Sequence, residues 1–279
     1  MKAAAFAYER PTDLSAALAL VARADGTAKI IAGGQSLGPM LNLRLVEPDL
    51  VIDISGLSEL KFAERRGNEL VIGACVTHGD IEDGRIPDVT RGAMQRVASA
   101  IAYRAVRNRG TIGGSLSHAD PAADWISALS ALGAKVSLRS VAGARDLLIE
   151  EFITGALESA LHPGEILEAV RVPVMTPSAR WGYVKACRKS GEFAHAMAAV
   201  LIDPEQATAR AVIGALDAAP IVLRDAAELF GGRITGDFKQ QFDARVADAI
   251  LTKAGVANAA DRHMHVTVLR RAITEAASA

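Results

Sequence analysis

Short apolar runs, each closed by a glycine or proline turn, alternate with helical periodicity along most of this chain. Pro11-Thr12-Asp13 ahead of Leu14 to Val21 predicts a helix with Thr12 or Asp13 as its cap. Ala28 to Ala32 reads as a buried strand and Leu50 to Ile54 as a second, which together predict a small β-α-β unit. Glu69 to Ala74 predicts another strand. Thr77 with Asp80 has capping-box spacing for the helix that follows, which would leave His78 at the surface. Further helices are expected over Val89 to Ile101 and Ile126 to Leu132, and a strand over Lys135 to Arg139. Glu165 to Pro173 alternates like an edge strand that stops at proline. Trp181 to Arg188 and Ala196 to Ile202 read as paired strands. The tracts Ile221 to Phe230, Phe238 to Ala254 and Asp261 to Ala277 read as helical.

Two glycine turns interrupt this pattern. The first is Ile31-Ala32-Gly33-Gly34-Gln35-Ser36-Leu37, and the second is Gly110-Thr111-Ile112-Gly113-Gly114-Ser115. Paired glycines permit positive φ and a close backbone approach. Successive N–H groups in such a turn form a concave anion site. Neither turn has P-loop or Rossmann spacing, so a pyrophosphate held between two distant turns would be a different design. A plain tight turn is the structural alternative for each. Just past the second turn, Asp120 and Asp124 have two readings: acceptors for sugar or ribityl hydroxyls, or caps of the helix beginning near Pro121. Arg104, Arg107 and Arg109 either meet phosphate or form a solvated basic face.

Composition narrows the class. A length of 279 residues supports two or three domains, and a net charge of -1 argues against a nucleic-acid surface. No run of about twenty uncharged apolar residues predicts a membrane span. Charges at Glu9, Arg10 and Asp13 come too early for a signal peptide's apolar core. Cys75 and Cys187 have no metal spacing and suit a reduced, cytoplasmic protein. His263 and His265 lack a partner at ligand spacing, so no metal site is expected.

The two turns with Asp124 behind the second, Arg107-Asn108, Ala119 to Asp124, Gly164 to Leu167, and Lys185 with Arg188, Gly191 and Phe193 form a specific set. The chain resembles, over nearly its whole length, the FAD-binding medium subunit of the molybdenum hydroxylase family, of the carbon monoxide dehydrogenase and xanthine dehydrogenase type. The resemblance implies an α+β fold: a small FAD-binding part over residues 1–56, a larger one over 57–175, and a C-terminal α+β domain over 176–279. It implies a pyrophosphate between Ala32 to Ser36 and Thr111 to Ser115, with Ile31 and Leu37 flanking the first turn. Asp124, and Asp120 beside it, would serve the hydroxyls; Ile101 and Leu167 would line non-covalent FAD, and Lys185 would approach the flavin. Ser115 stands where asparagine is usual in that family, and Glu192 where aspartate is common.

The same resemblance implies no catalytic residue in this chain. A small partner with [2Fe-2S] clusters would deliver electrons, and a large partner with a molybdenum–pterin cofactor would carry out the substrate chemistry. The assembly would be a dimer of heterotrimers in the cytoplasm. Two other readings stay open at this stage: a stand-alone FAD-dependent oxidoreductase, and a structural subunit that has lost flavin.

Overall fold

The computed structural model describes residues 2–24 and 27–278. Its first sheet is parallel, with β1 (Ala7–Glu9), β2 (Ala28–Ile31) and β3 (Leu50–Asp53) in the order β1-β3-β2. Helix α1 (Leu14–Arg23) is capped by Asp13, whose carboxylate accepts from the Ala16 amide at 2.8 Å. Ala17 and Leu18 of α1 pack on Ile52, Ile54, Leu57 and Leu60 in a small core. Strand β1 was invisible to the periodic pattern, because three exposed residues carry no apolar alternation. After β2 the chain turns through the first glycine segment into α2 (Leu37–Asn42). Loops at the carboxyl ends of parallel strands are where open α/β sheets hold ligands.

The second sheet is antiparallel. It contains β4 (Ala63–Arg66), β5 (Glu69–Gly73), β6 (Lys135–Ser140), β7 (Gly143–Leu148) and, after the short hairpin β8 (Ile153–Gly155) and β9 (Glu158–Ser159), β10 (Ile166–Pro173). The order β4-β5-β10-β6-β7 makes β10 the central strand, not the edge strand its alternation suggested. Pro173 pairs with Glu69 at the last position of the ladder, so its missing N–H breaks nothing in the middle.

Six helices accompany this sheet: α3 (His78–Glu82), α4 (Ala93–Ser99), α5 (Arg104–Arg107), α6 (Ile112–His118), α7 (Asp124–Ala131) and α8 (Ile149–Phe152). Trp125, Ile126 and Leu129 of α7 join Leu70, Ile72, Val136 and Val170 in the main core. The capping box on α3 is complete: Thr77 accepts from the Asp80 amide at 3.0 Å and Asp80 accepts from the Thr77 amide at 3.0 Å. Helix α4 starts later than the pattern predicted, because Asp88 accepts from the amides of Thr90 and Gly92 and holds that stretch as a turn. Helix α7 begins at Asp124, just ahead of the apolar tract expected from Ile126 and past Pro121, where a cap would have placed its start.

The third sheet, β11 (Arg180–Ala186), β12 (Ala196–Asp203), β13 (Thr208–Gly214) and β14 (Ile221–Leu223), is an antiparallel meander. It packs on α11 (Ala259–Ala276), preceded by α9 (Phe238–Gln241) and α10 (Ala244–Lys253). The stretch expected as one helix over Ile221 to Phe230 is instead strand β14 followed by a 3-10 turn, Ala227–Phe230. Ile221 and Val222 are β-branched and complete the sheet beside β13, a tertiary gain that overrides helical spacing.

Candidate functional site

The two glycine turns meet. Thr111 forms an isolated antiparallel bridge with Thr77, which fixes the second turn beside α3. The His78 amide donates to Gly110 O at 2.9 Å and the Ile112 amide to Val76 O at 3.0 Å. A Cβ on Gly33 would overlap the Arg109 carbonyl and lie 2.8 Å from Gly110 Cα. The contact therefore needs glycine at this position, for a reason of packing.

The turns differ in what their amides do. Among the described residues, the amides of Gly33, Gly34, Gln35 and Ser36 donate to no protein acceptor. Gly34 adopts φ +70°, and the Gln35 side-chain amide donates to Gly33 O at 3.1 Å, so the turn is shaped without consuming its own N–H groups. A row of free amides around a left-handed residue is an anion nest. Ile31 and Leu37, which flank the turn, are both half-buried.

The second turn has spent its donors. Gly113 donates to Ala74 O at 3.0 Å, Gly114 to Thr111 Oγ1 at 3.0 Å and Ser115 to Thr111 O at 3.0 Å. Gly113, Gly114 and Ser115 form the first turn of α6, capped by Thr111, instead of an open loop. A Cβ on Gly113 would overlap Ala74. This turn offers the exposed backbone of Gly114 and the half-buried side of Ser115, and little else.

Asp120 does not cap α7. Its Oδ1 accepts from the Ala122 amide at 2.9 Å and shapes the turn two residues ahead of the helix. Asp124, the first residue of α7, is 8% exposed. Its Oδ1 accepts from the Tyr183 hydroxyl at 2.7 Å and from Lys185 Nζ at 2.7 Å, while Oδ2 has no protein donor among the described residues. Lys185 Nζ also donates to Ala100 O at 2.9 Å. Burial raises the Tyr183 hydroxyl pKa well above its ordinary value, and the Asp124 charge raises it further. Strand β11 thus places Lys185 directly on Asp124, a pairing that one-dimensional spacing does not disclose. Ile101 is half-buried beside the main core; Leu167, at 3% exposure, lies within it.

Tyr183 and Glu82 escaped the sequence reading, and His78 and Arg107 stand in surroundings other than those it gave them. His78, expected at the surface, is 5% exposed and accepts from Trp125 Nε1 at 3.0 Å through Nδ1. Burial, followed by the nearby Arg107 charge, lowers its pKa to about 4. Arg107 is paired with Glu82 through Nε at 2.7 Å and Nη2 at 2.9 Å. Arg104 is paired with Asp83 and Glu82, so neither arginine is a free phosphate ligand and the basic face is largely neutralised. A tryptophan next to Asp124, with its obligatory donor, was the available signal for a buried acceptor such as His78. Cys75 is buried and its thiol is pushed up to about 12 by desolvation. Among the described residues no group of three His, Cys, Asp or Glu side chains is placed to hold a metal ion.

Residues 4–175 match the protein family described as the FAD binding domain in molybdopterin dehydrogenase. The chain is 34% identical to the caffeine dehydrogenase subunit beta of Pseudomonas sp. (strain CBB1), over 97% of this chain and 100% of that relative. It is 32% identical to the carbon monoxide dehydrogenase medium chain of Hydrogenophaga pseudoflava, over 92% of this chain and 85% of that protein. Its fold superposes on a chain of reconstituted CO dehydrogenase from Oligotropha carboxidovorans with a TM-score of 0.88 and 27% identity, covering 100% of this chain and 99% of that one.

Proposed function

The chain belongs to the family of FAD-binding domains of molybdopterin dehydrogenases, and on that premise we propose that it accepts electrons from [2Fe-2S] clusters of a partner subunit and passes them to an external acceptor. It is a flavoprotein subunit of the carbon monoxide dehydrogenase type, with FAD as the family's cofactor. The observation that carries the reading is the row of free amides at Gly33 to Ser36, set at the carboxyl end of a parallel strand and braced against the second turn.

The residues present fit such a cofactor. The first-turn amides would hold the pyrophosphate, with Ser115 and the Gly114 backbone of the second turn facing it and Thr111 fixing that turn. Asp124 Oδ2 would accept from a ribityl or ribose hydroxyl, which its pairing through Oδ1 leaves free to do. Asp120 would act one step removed, by shaping the turn that presents Asp124. Ile101 and Leu167 would exclude water from one side of the ring system, and Lys185, half-buried and paired with Asp124, would supply a positive charge nearby. FAD, once bound, supplies the one- and two-electron chemistry that links the two redox partners. No acid, base or nucleophile of this chain is needed for that transfer.

The division into residues 1–56, 57–175 and 176–279 is part of the same proposal, with the flavin between the first two. The relatives are named as subunits or chains of dehydrogenases. We extend this to a small iron–sulfur partner, a large molybdenum–pterin partner and a cytoplasmic dimer of heterotrimers. No helix among the described residues is long and apolar enough to cross a membrane. An absorption spectrum of the purified chain, before and after heat release of cofactor, tests the reading. About one FAD per chain is expected. A colourless chain that also refuses added FAD would overturn the assignment of flavin to this subunit.

A further inference from the structure

Three consecutive carbonyls, those of Ala100, Ile101 and Ala102, are held by two cations from different elements. Arg107 reaches back from α5, and its Nη1 donates to Ile101 O at 2.9 Å and to Ala102 O at 3.1 Å. Its remaining nitrogens grip Glu82 of α3. Lys185 donates to Ala100 O and is anchored by Asp124. Both cations are largely withdrawn from water, at 12% and 11% side-chain exposure.

Among the described residues this short link between α4 and α5 pairs with no strand, and Ala102 sits at φ +40°, a conformation that residues with a Cβ adopt at a cost. Gly191, at φ +84°, packs over the same point: a Cβ there would lie 3.0 Å from the Ala102 carbonyl carbon. Such a backbone persists only where its surroundings over-determine it. A planar guanidinium that satisfies a carboxylate with two nitrogens and two carbonyls with the third is well suited to that task, and a lysine ammonium is not.

We propose that Arg107, oriented by Glu82, is a positioning residue for the flavin: by fixing the Ala100 to Ala102 backbone it sets where Ile101 meets the ring. The inference rests on the FAD reading above. It also separates Arg107 from Arg104, which lies on the same short helix, is 47% exposed and ties Asp83 to Glu82 without touching the link.

The test uses the full chain loaded with FAD, in Arg107→Lys, Glu82→Gln and, for comparison, Arg104→Lys. FAD affinity by fluorescence quenching, the reduction potential of the bound flavin and thermal unfolding of the flavin-free chain are measured on each. Arg107→Lys is expected to weaken FAD about tenfold and to shift the potential, with Glu82→Gln moving both in the same direction by less. Arg104→Lys should leave both at wild-type values. Where Arg107→Lys does not fold, Glu82→Gln decides. Wild-type affinity and potential in the Arg107 and Glu82 variants would overturn the inference, as would losses that follow thermal stability equally in all three. A wild-type chain that takes up no FAD would overturn the functional reading and this inference with it. Variants that match a flavin-loaded wild type would overturn this inference alone.

Discussion

The two glycine turns share a grammar and divide the labour. In the first, the amides of Gly33 to Ser36 donate to no protein acceptor among the described residues, and the backbone is bent by Gly34. In the second, Thr111, Ala74 and Val76 have claimed the amides, and Gly113 serves to let α6 approach the strand end at Ala74. One turn leaves donors for the anion we propose there, and the other is the capped start of a helix that buttresses it. Paired glycines alone therefore do not identify a phosphate site. What decides is whether acceptors of the protein have already taken the donors.

Substitutions at the close contacts should have the largest effects and break the comparison most directly. Gly113→Val would drive a branched side chain into Ala74, and a loss of about 3 kcal/mol or more is expected, with flavin lost because the fold is lost. Gly33→Val would separate the turns at Arg109, so flavin should be lost while the C-terminal sheet survives. Circular dichroism together with flavin content distinguishes the two, and normal flavin in both variants would end the two-turn account.

Asp124→Ala is expected to weaken FAD by about 1–3 kcal/mol, since it removes a charged acceptor and frees Lys185. Unchanged affinity in a fluorescence titration would mean that Asp124 serves Lys185 and Tyr183 only.

His78 offers a pH test of the second turn, against whose Gly110 its ring is packed. Its pKa is lowered from 6.5 to about 4 in the folded chain, so between those values the unfolded chain binds more protons. Stability from this group is complete above about pH 6.5 and is lost as pH falls towards about 4; by pH 5 the loss is about 2 kcal/mol. Urea midpoints at pH 7 and pH 5 should fall further for wild type than for His78→Gln. Equal falls would remove His78 from the account.

The smallest effect sharpens the contrast. Gly34→Ala meets only the Ile31 side chain but must hold φ +70°, a cost of about 1 kcal/mol felt in the nest. Gly114→Ala would press on Thr111 Oγ1 and loosen the α6 cap by about 1 kcal/mol. Flavin affinity should drop more in the first variant and thermal stability more in the second.

Features set by neighbours in the chain were legible beforehand. The Thr77–Asp80 capping box, a cap at Thr12 or Asp13, the strands from Trp181 to Ala186 and Ala196 to Ile202, and the family motifs around both turns all follow from spacing over a few residues. The chain's α+β character and its place among molybdenum hydroxylase FAD subunits were present in those motifs. Other features depended on what packs from afar. Strand β10 is central because β5 and β6 close on both its edges, and Ile221 to Leu223 is a strand because β13 offers it an open edge. Asp124 meets Lys185, His78 is buried under Trp125, and Arg107 is drawn to Glu82, through contacts between elements well separated in sequence.

Glycine, proline and capping residues act on their own backbone, so the sequence by itself determined where the chain turns and which family it belongs to. Whether an amide, a carboxylate or a cation is free to meet a ligand depends on which distant partners reach it first, and only the tertiary structure decided that.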